Sequence, residues 1–141
     1  MKRRINLPDI IKVNIKSSSG FVPLEDAYND ILSITSNSLS YEYVPVYITE
    51  VNQIQKWSYK TNNPNFITSF NKIAEMINDI MYTEILEHWC DIGEIEFIVT
   101  YEDKSKKRAT FFLPPDYFET AFKEIKKLIP SLEQIPIILN C

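Results

Sequence analysis

Hydrophobic residues recur along this chain in two periods, and the two kinds of run are grouped rather than alternated. That grouping restricts the fold more than any other feature of the sequence. Period-two runs come first. Ile11, Val13 and Ile15 alternate with Lys12, Asn14 and Lys16, the pattern of a half-buried strand over residues 9–16. Ser17-Ser18-Ser19-Gly20 is expected to end it, and Pro23 to keep the next segment irregular. Residues 31–35 and 39–46 form two further runs around Ser36-Asn37-Ser38, which predicts a hairpin. In the second run Leu39, Tyr41 and Tyr43 share one face, with Ser40 and Glu42 on the other. Residues 53–60 predict another strand, with Gln53, Gln55, Trp57 and Tyr59 on one side.

The period then changes. Asn62-Asn63-Pro64 offers an amide cap and a proline suited to a first helical turn, where its missing N–H is not needed. Phe66, Phe70, Ile73, Ile77 and Ile80 follow at helical spacing and build one apolar stripe. The pattern continues loosely through Ile85 and Trp89, as a second short helix, until Asp91 and Gly93 break it. Period two returns at residues 94–101, where Ile95, Phe97, Val99 and Tyr101 oppose Glu94, Glu96, Ile98 and Thr100. A polar loop at residues 103–106 leads into a returning strand at 107–113. Pro114-Pro115-Asp116 opens a final helix with Phe118, Phe122, Ile125 and Ile129 as its buried stripe and Asp116 near its positive end. Pro130 stops it, and the apolar residues 135–139 are expected to dock on the body. Strands, helix, hairpin, helix in that order predict a single α+β domain over residues 1–141: a mainly antiparallel sheet of about five to six strands, with two main helices on one face.

Composition narrows the chemistry. Gly20 and Gly93 are the only glycines, so phosphate-cradling loops of the Walker or dinucleotide type cannot be written. The net charge of −4 neither marks a DNA mimic nor supplies the excess of a general nucleic-acid binder. Cys90 and Cys141 make no disulfide framework and read as reduced thiols. Met1-Lys2-Arg3-Arg4 is followed by no apolar signal core, and no apolar run approaches the ~20 residues of a membrane span. A cytoplasmic protein without a membrane partner is expected.

Several residue groups could carry chemistry, and each has a plainer alternative. Glu84, His88 and Asp91 fall at i, i+4 and i+7, on one helix face, where they form a weak divalent-metal candidate; a solvated acidic helix end accounts for them as well. Cys90 and His88 are two apart and point in different directions on a helix, so an inert Cys90 is favoured. The Gly-x-Ser-x-Gly elbow of serine hydrolases is absent, and Ser17, Ser18 and Ser19 read as loop residues bonding nearby backbone. Lys2-Arg3-Arg4 and the hairpin tip Lys104, Lys106, Lys107 and Arg108 are basic; such a tip suits phosphates, although Glu102 and Asp103 adjoin it and solvated turns are also lysine-rich. Lys123, Lys126 and Lys127 read as the exposed face of the last helix, at its negative end. Tyr41, Tyr43, Trp57 and Tyr59 would stack across two paired strands. Facing the helices they are core; facing outward they make a patch edged by Lys56 and Lys60, suited to a protein hot spot or to stacked bases.

Three stretches, Ser17-Ser18-Ser19-Gly20-Phe21-Val22-Pro23-Leu24-Glu25-Asp26-Ala27-Tyr28, Lys56-Trp57-Ser58-Tyr59-Lys60-Thr61 and the strand after Asp91-Ile92-Gly93, resemble a group of small uncharacterised bacterial proteins over most of the chain. The resemblance implies a shared compact fold and no functional residue. The sequence therefore predicts a non-enzymatic protein-binding module without cofactor, of the inhibitor or immunity sort, that occludes a toxin or defence enzyme. Its expected contact surface is acidic: Glu84, Glu87, Asp91, Glu94 and Glu96. The alternatives are a nucleic-acid or nucleotide-ligand binder, using Lys104, Lys106, Lys107 and Arg108 with Trp57 and Tyr59, and a metal-dependent enzyme.

Overall fold

Each period-two run becomes a strand of one sheet. The computed structural model describes residues 9–19, 22–81, 95–111 and 115–129. Along them run β1 (Ile10–Ser18), β2 (Tyr28–Thr35), β3 (Ser38–Pro45), β4 (Gln55–Lys60), α1 (Pro64–Met81), β5 (Ile95–Tyr101), β6 (Lys106–Phe111) and α2 (Pro115–Lys126). The six strands lie in the order β4-β3-β2-β1-β5-β6, and every neighbouring pair is antiparallel. This is the α+β architecture that the grouped periodicity predicts. The β1–β5 pairing joins the first four strands to the second hairpin.

Register follows the apolar alternation, because a slip of one residue would turn every buried side chain to the other face. Val13 pairs with Ile34 and Val99, and Ile15 with Leu32 and Phe97. These residues are essentially buried. Ile11 departs from its expected place: it is 38% exposed. A bulge between Ile10 and Lys12 sets Ile10 opposite Tyr101, and Ile10 packs on the core instead. The extra residue of a bulge breaks the alternation locally. Ser17 and Ser18 continue β1 rather than ending it, and Gln53 precedes β4.

The helices supply the second layer. Asn63 caps α1 as its sequence predicts: its side-chain oxygen accepts the Asn65 N–H at 2.9 Å, with Pro64 in the first turn. Phe66, Phe70, Ile73 and Ile77 lie along one stripe of α1 and are buried with the sheet residues. Ala121, Phe122 and Ile125 of α2 complete that core, and Leu128 and Ile129 pack against it. Each large aliphatic side chain buried this way contributes about 1.5–3 kcal/mol relative to exposure. Lys72 of α1 and Lys127 both approach Glu124 of α2, at 3.6 and 3.1 Å. Lys72–Glu124 links the two helices and Lys127–Glu124 lies at the C-terminal end of α2; both lysines are largely exposed, so these pairs add little stability.

Candidate functional site

The side chains least explained by folding lie at one end of the sheet. There β1 and β3 end and β2 and β4 begin. Two connections meet at this end: residues 22–27, which include a 3-10 turn at Leu24–Asp26, and residues 46–54 between β3 and β4. Val51 is 94% exposed, Ile48 62% and Leu24 58%, and Val46, Tyr47 and Ile54 are also exposed. Scattered exposed apolar residues are ordinary, but here six of them gather on two adjoining loops.

The loops are held in place by polar bonds. The Val46 N–H donates to the Ala27 carbonyl at 2.9 Å, and the Asn52 side chain reaches the Glu25 carbonyl. Thr49 and Asn52 exchange backbone bonds across a turn. The Tyr43 hydroxyl donates to Asn52 Oδ1 at 2.8 Å, which ties the loop tip to the sheet. Residues 17–55 contain no Lys, Arg or His, whereas Glu25, Asp26 and Glu50 border the apolar group. The loop end thus combines exposed apolar residues with three exposed acids on the same two loops.

Beneath it lies a buried polar cluster. Ser17 pairs with Asp30 across β1 and β2, and both are 5% exposed. The Ser17 hydroxyl donates to Asp30 Oδ1, and the Tyr41 hydroxyl donates to Oδ2 at 2.6 Å. Burial pushes the Asp30 carboxyl above its ordinary range, against the lowering effect of these donors. Burial also raises the Tyr28 phenol to about 12, with the nearby Asp30 and Tyr43 adding to it. Tyr28 stacks on Tyr43 with ring centroids 5.2 Å apart. The cluster resembles part of a hydrolase triad only in residue type. No imidazole joins it among the described residues, and its hydroxyl is enclosed, so it serves as a polar footing for the loop end.

The aromatic set faces the helices. Tyr41 and Tyr43 are buried, Trp57 packs half-buried on the core and Tyr59 is 39% exposed. Tyr41 meets Trp57, and Tyr59 meets Phe66 of α1. Lys56 and Lys60 alternate with these residues along β4 and point to the opposite face, so they do not edge the aromatic group.

The other residues singled out in the sequence are dispersed. Lys106 and Arg108 stand on the open face of β6, Lys107 turns toward the helix side, and Lys104 sits in the β5–β6 turn. Trp57 and Tyr59 lie on β4 at the opposite edge, five strand spacings or about 24 Å from β6. The basic hairpin and these aromatics therefore do not form one site. Of the acidic group, Glu96 is described: it pairs with Arg108 at 3.4 Å and lies opposite Lys16. Glu84, Glu87, His88, Cys90, Asp91, Glu94, Cys141 and Lys2-Arg3-Arg4 fall outside the described residues. Ser17 bonds to a side chain in the core rather than to loop backbone, and Ser19 accepts the Tyr28 N–H across the hairpin. Among the described residues no group of His, Cys, Asp or Glu is arranged to hold a metal, and no helix is long and apolar enough to cross a membrane. The loop end was missed by sequence reading because residues 46–54 carry no periodic pattern. Its one legible signal was the run of apolar residues Val46, Tyr47, Ile48, Val51 and Ile54 between two strands.

No protein-family model matches the chain, and no curated protein matches it.

Proposed function

We propose that this domain acts by binding another protein, through the apolar loop end bordered by Glu25, Asp26 and Glu50. The observation that carries this reading is the exposure of Leu24, Val46, Tyr47, Ile48, Val51 and Ile54 on two loops pinned to each other and to the sheet. Pinning matters because loop ordering on association otherwise consumes binding energy. The partner's surface has a matching chemistry: apolar at the centre, with Lys or Arg around it. Anionic border residues speed encounter with such a surface more than they deepen the final affinity. In the inhibitor or immunity form of this proposal, the partner is an enzyme or toxin whose active surface the loop end covers.

The test compares the tagged parent with an Ile48→Asp/Val51→Asp variant. Both positions are exposed, so the substitutions leave folding stability within about 0.5 kcal/mol. Nuclease-treated host extract is passed over each at moderate salt. One stoichiometric protein retained by the parent and lost by the variant supports the proposal. Adding the domain to that purified protein then reports on inhibition. Equal retention by parent and variant, or no stoichiometric protein on the parent, overturns the loop end as the contact.

A further inference from the structure

The sheet face opposite the helices has a charge opposite in sign to that of the whole chain. It displays Lys12 and Lys16 on β1, Lys56 and Lys60 on β4, and Lys106 and Arg108 on β6. Among the described strand residues two carboxylates accompany these six cations, and both are engaged: Glu42 by Lys56 at 3.7 Å and Glu96 by Arg108 at 3.4 Å. Lys12, Lys16, Lys60 and Lys106 make no ion pair among the described residues, and all four are exposed. Among the described strand residues the face thus carries a net charge of +4, on a chain of −4.

Between the cations lie small hydrogen-bonding groups. Ser58, Ser40, Ser33 and Asn14 stand opposite one another on β4, β3, β2 and β1, and the row continues through Ile98 to Arg108. A second row runs Lys60–Ser38, then Thr35–Lys12–Thr100–Lys106. A shallow depression of about 500 Å³ lies over β2, β3 and β4, lined by Ser33, Ser40, Ser58, Glu42 and Lys56 and bordered by Ile31, Tyr41 and Trp57. At its centre the face also holds Asn14 Oδ1, a buried acceptor with no donor among the described residues.

We infer that this open face is a docking surface for the phosphate backbone of a nucleic-acid duplex, separate from the apolar loop end. Three features favour this ligand. Lysines interspersed with hydroxyls are the groups that contact phosphate oxygens without reading sequence. Among the described residues the aromatic side chains of the sheet, Tyr28, Tyr41, Tyr43, Trp57, Tyr59, Phe97 and Tyr101, alternate to the helix-facing side, Tyr41 and Trp57 included although they also border the depression, so the described open face offers no ring of its own on which to stack single-stranded bases. Ile31 and Val44 are half-buried and Ile98 buried, and the bulged Ile11 beside Lys12 is the one exposed aliphatic among these described strand residues, so the described face lacks the cluster of apolar anchors on which a protein contact depends. Binding by phosphate neutralisation is insensitive to sequence and weakens steeply with salt.

The experiment is anisotropy of labelled mixed-sequence duplex DNA titrated with the full chain across a range of salt. If the four unpaired lysines each neutralise one phosphate, the log–log salt slope is about −3.6, a loss of roughly a hundred-fold in affinity between about 50 and 200 mM salt. A Lys12→Gln/Lys16→Gln/Lys60→Gln variant with unchanged melting temperature should retain a slope of only about −1 and lose most of the affinity at low salt. Failure of the parent to bind at low salt overturns the inference, as does equal binding by the triple variant. Poly-glutamate of matched charge serves as competitor: displacement as effective as that by unlabelled duplex would assign the face to acidic protein instead, and would also overturn it. The Ile48→Asp/Val51→Asp variant should bind duplex as the parent does.

Discussion

Replacing Tyr41 by Phe isolates the bond that holds the Asp30 carboxylate in the core. The substitution deletes one hydroxyl and keeps the ring, so the contact of Tyr41 with Trp57, at 6.1 Å between centroids, survives. The Tyr41 hydroxyl donates to Asp30 Oδ2 at 2.6 Å, and Asp30 is 5% exposed. Water therefore cannot readily replace the lost donor. Bonds to charged groups contribute about 1.5–3 kcal/mol and neutral ones about 0.5–1.5 kcal/mol, so Tyr41→Phe should lose about 0.5–3 kcal/mol of stability at pH 7, at the upper end where the carboxyl is ionised. With a urea dependence of about 1–3 kcal/mol per molar, the unfolding midpoint falls by roughly 1 M.

The pH dependence provides the sharper check. Burial is the dominant influence on Asp30 and raises its carboxyl above the unfolded value. The folded state consequently holds the proton more tightly. The associated stability is fully present below the ordinary carboxylate range and is lost as pH rises through the raised folded value. Removing Tyr41's donor takes away an influence that lowers this value, so the variant's folded carboxyl titrates higher still. The parent and variant should differ most above the raised folded range, where the carboxylate is charged. In acid the gap should narrow to that of a neutral bond, about 0.5–1.5 kcal/mol. Urea unfolding of both proteins at pH 7 and in acid measures both differences. Equal stability at pH 7, or a gap that widens in acid, would refute the placement of a buried carboxylate under Tyr41.

Asp30→Asn keeps an acceptor for Tyr41 and cannot ionise, so it should gain on the parent as pH rises through the raised folded range of Asp30 and lose that advantage in acid; matched urea titrations decide this. Tyr28, with its phenol raised to about 12, should contribute stability that is intact below the ordinary tyrosine range and lost as pH rises through about 12. The alkaline difference spectrum between the parent and Tyr28→Phe should show a phenolate appearing there, and one appearing at the ordinary value would contradict the buried stack. Lys104 holds a left-handed φ of 74° in the β5–β6 turn, where a β-carbon costs about 1–2 kcal/mol. Lys104→Gly should therefore raise stability by about 1 kcal/mol, after the added freedom of glycine in the unfolded chain, as read from thermal or urea midpoints. Because Lys104 lies outside the open face, the same variant should leave duplex affinity nearly unchanged.

The strands were legible because one face of the sheet is buried and the other is not. Leu39, Tyr41 and Tyr43 alternate with Ser40 and Glu42, and their partners on β2 and β4 alternate in step. The stripe of α1 and its Asn63 cap were legible for the same reason: local spacing matches what the core requires. The misses occurred where a tertiary event breaks the period. A bulge removes Ile11 from the core, and Ser17 stays in β1 because Asp30 on the adjacent strand gives its hydroxyl a buried partner. The second case needs a residue thirteen positions away, which no local window contains. The loop end was harder still. Its exposed apolar residues carry no periodic signal, and they become a surface only when residues 22–27 and 46–54 are brought together at one end of the sheet.

The charge map has a simple origin in the order of the strands. Residues 17–55 carry acids and no cations, and they supply β2, β3 and the two connections at the loop end. Lysines resume on either side of that stretch, at Lys12 and Lys16 before it and at Lys56 and Lys60 after it. Because β2 and β3 lie between β1 and β4, these lysines flank a hydroxyl-lined interior on the open face, while Glu25, Asp26 and Glu50 collect where the turns are. One sequence asymmetry thus produces two surfaces of opposite character, one apolar and anionic and the other polar and cationic. Substitutions at distant sites without shared partners add in their effects within about 0.5 kcal/mol. Ile48→Asp/Val51→Asp should then abolish protein capture without changing duplex affinity, and the lysine triple variant should do the reverse. Loss of both activities in either variant would mean that a single surface, or a single fold-dependent state, serves both ligands.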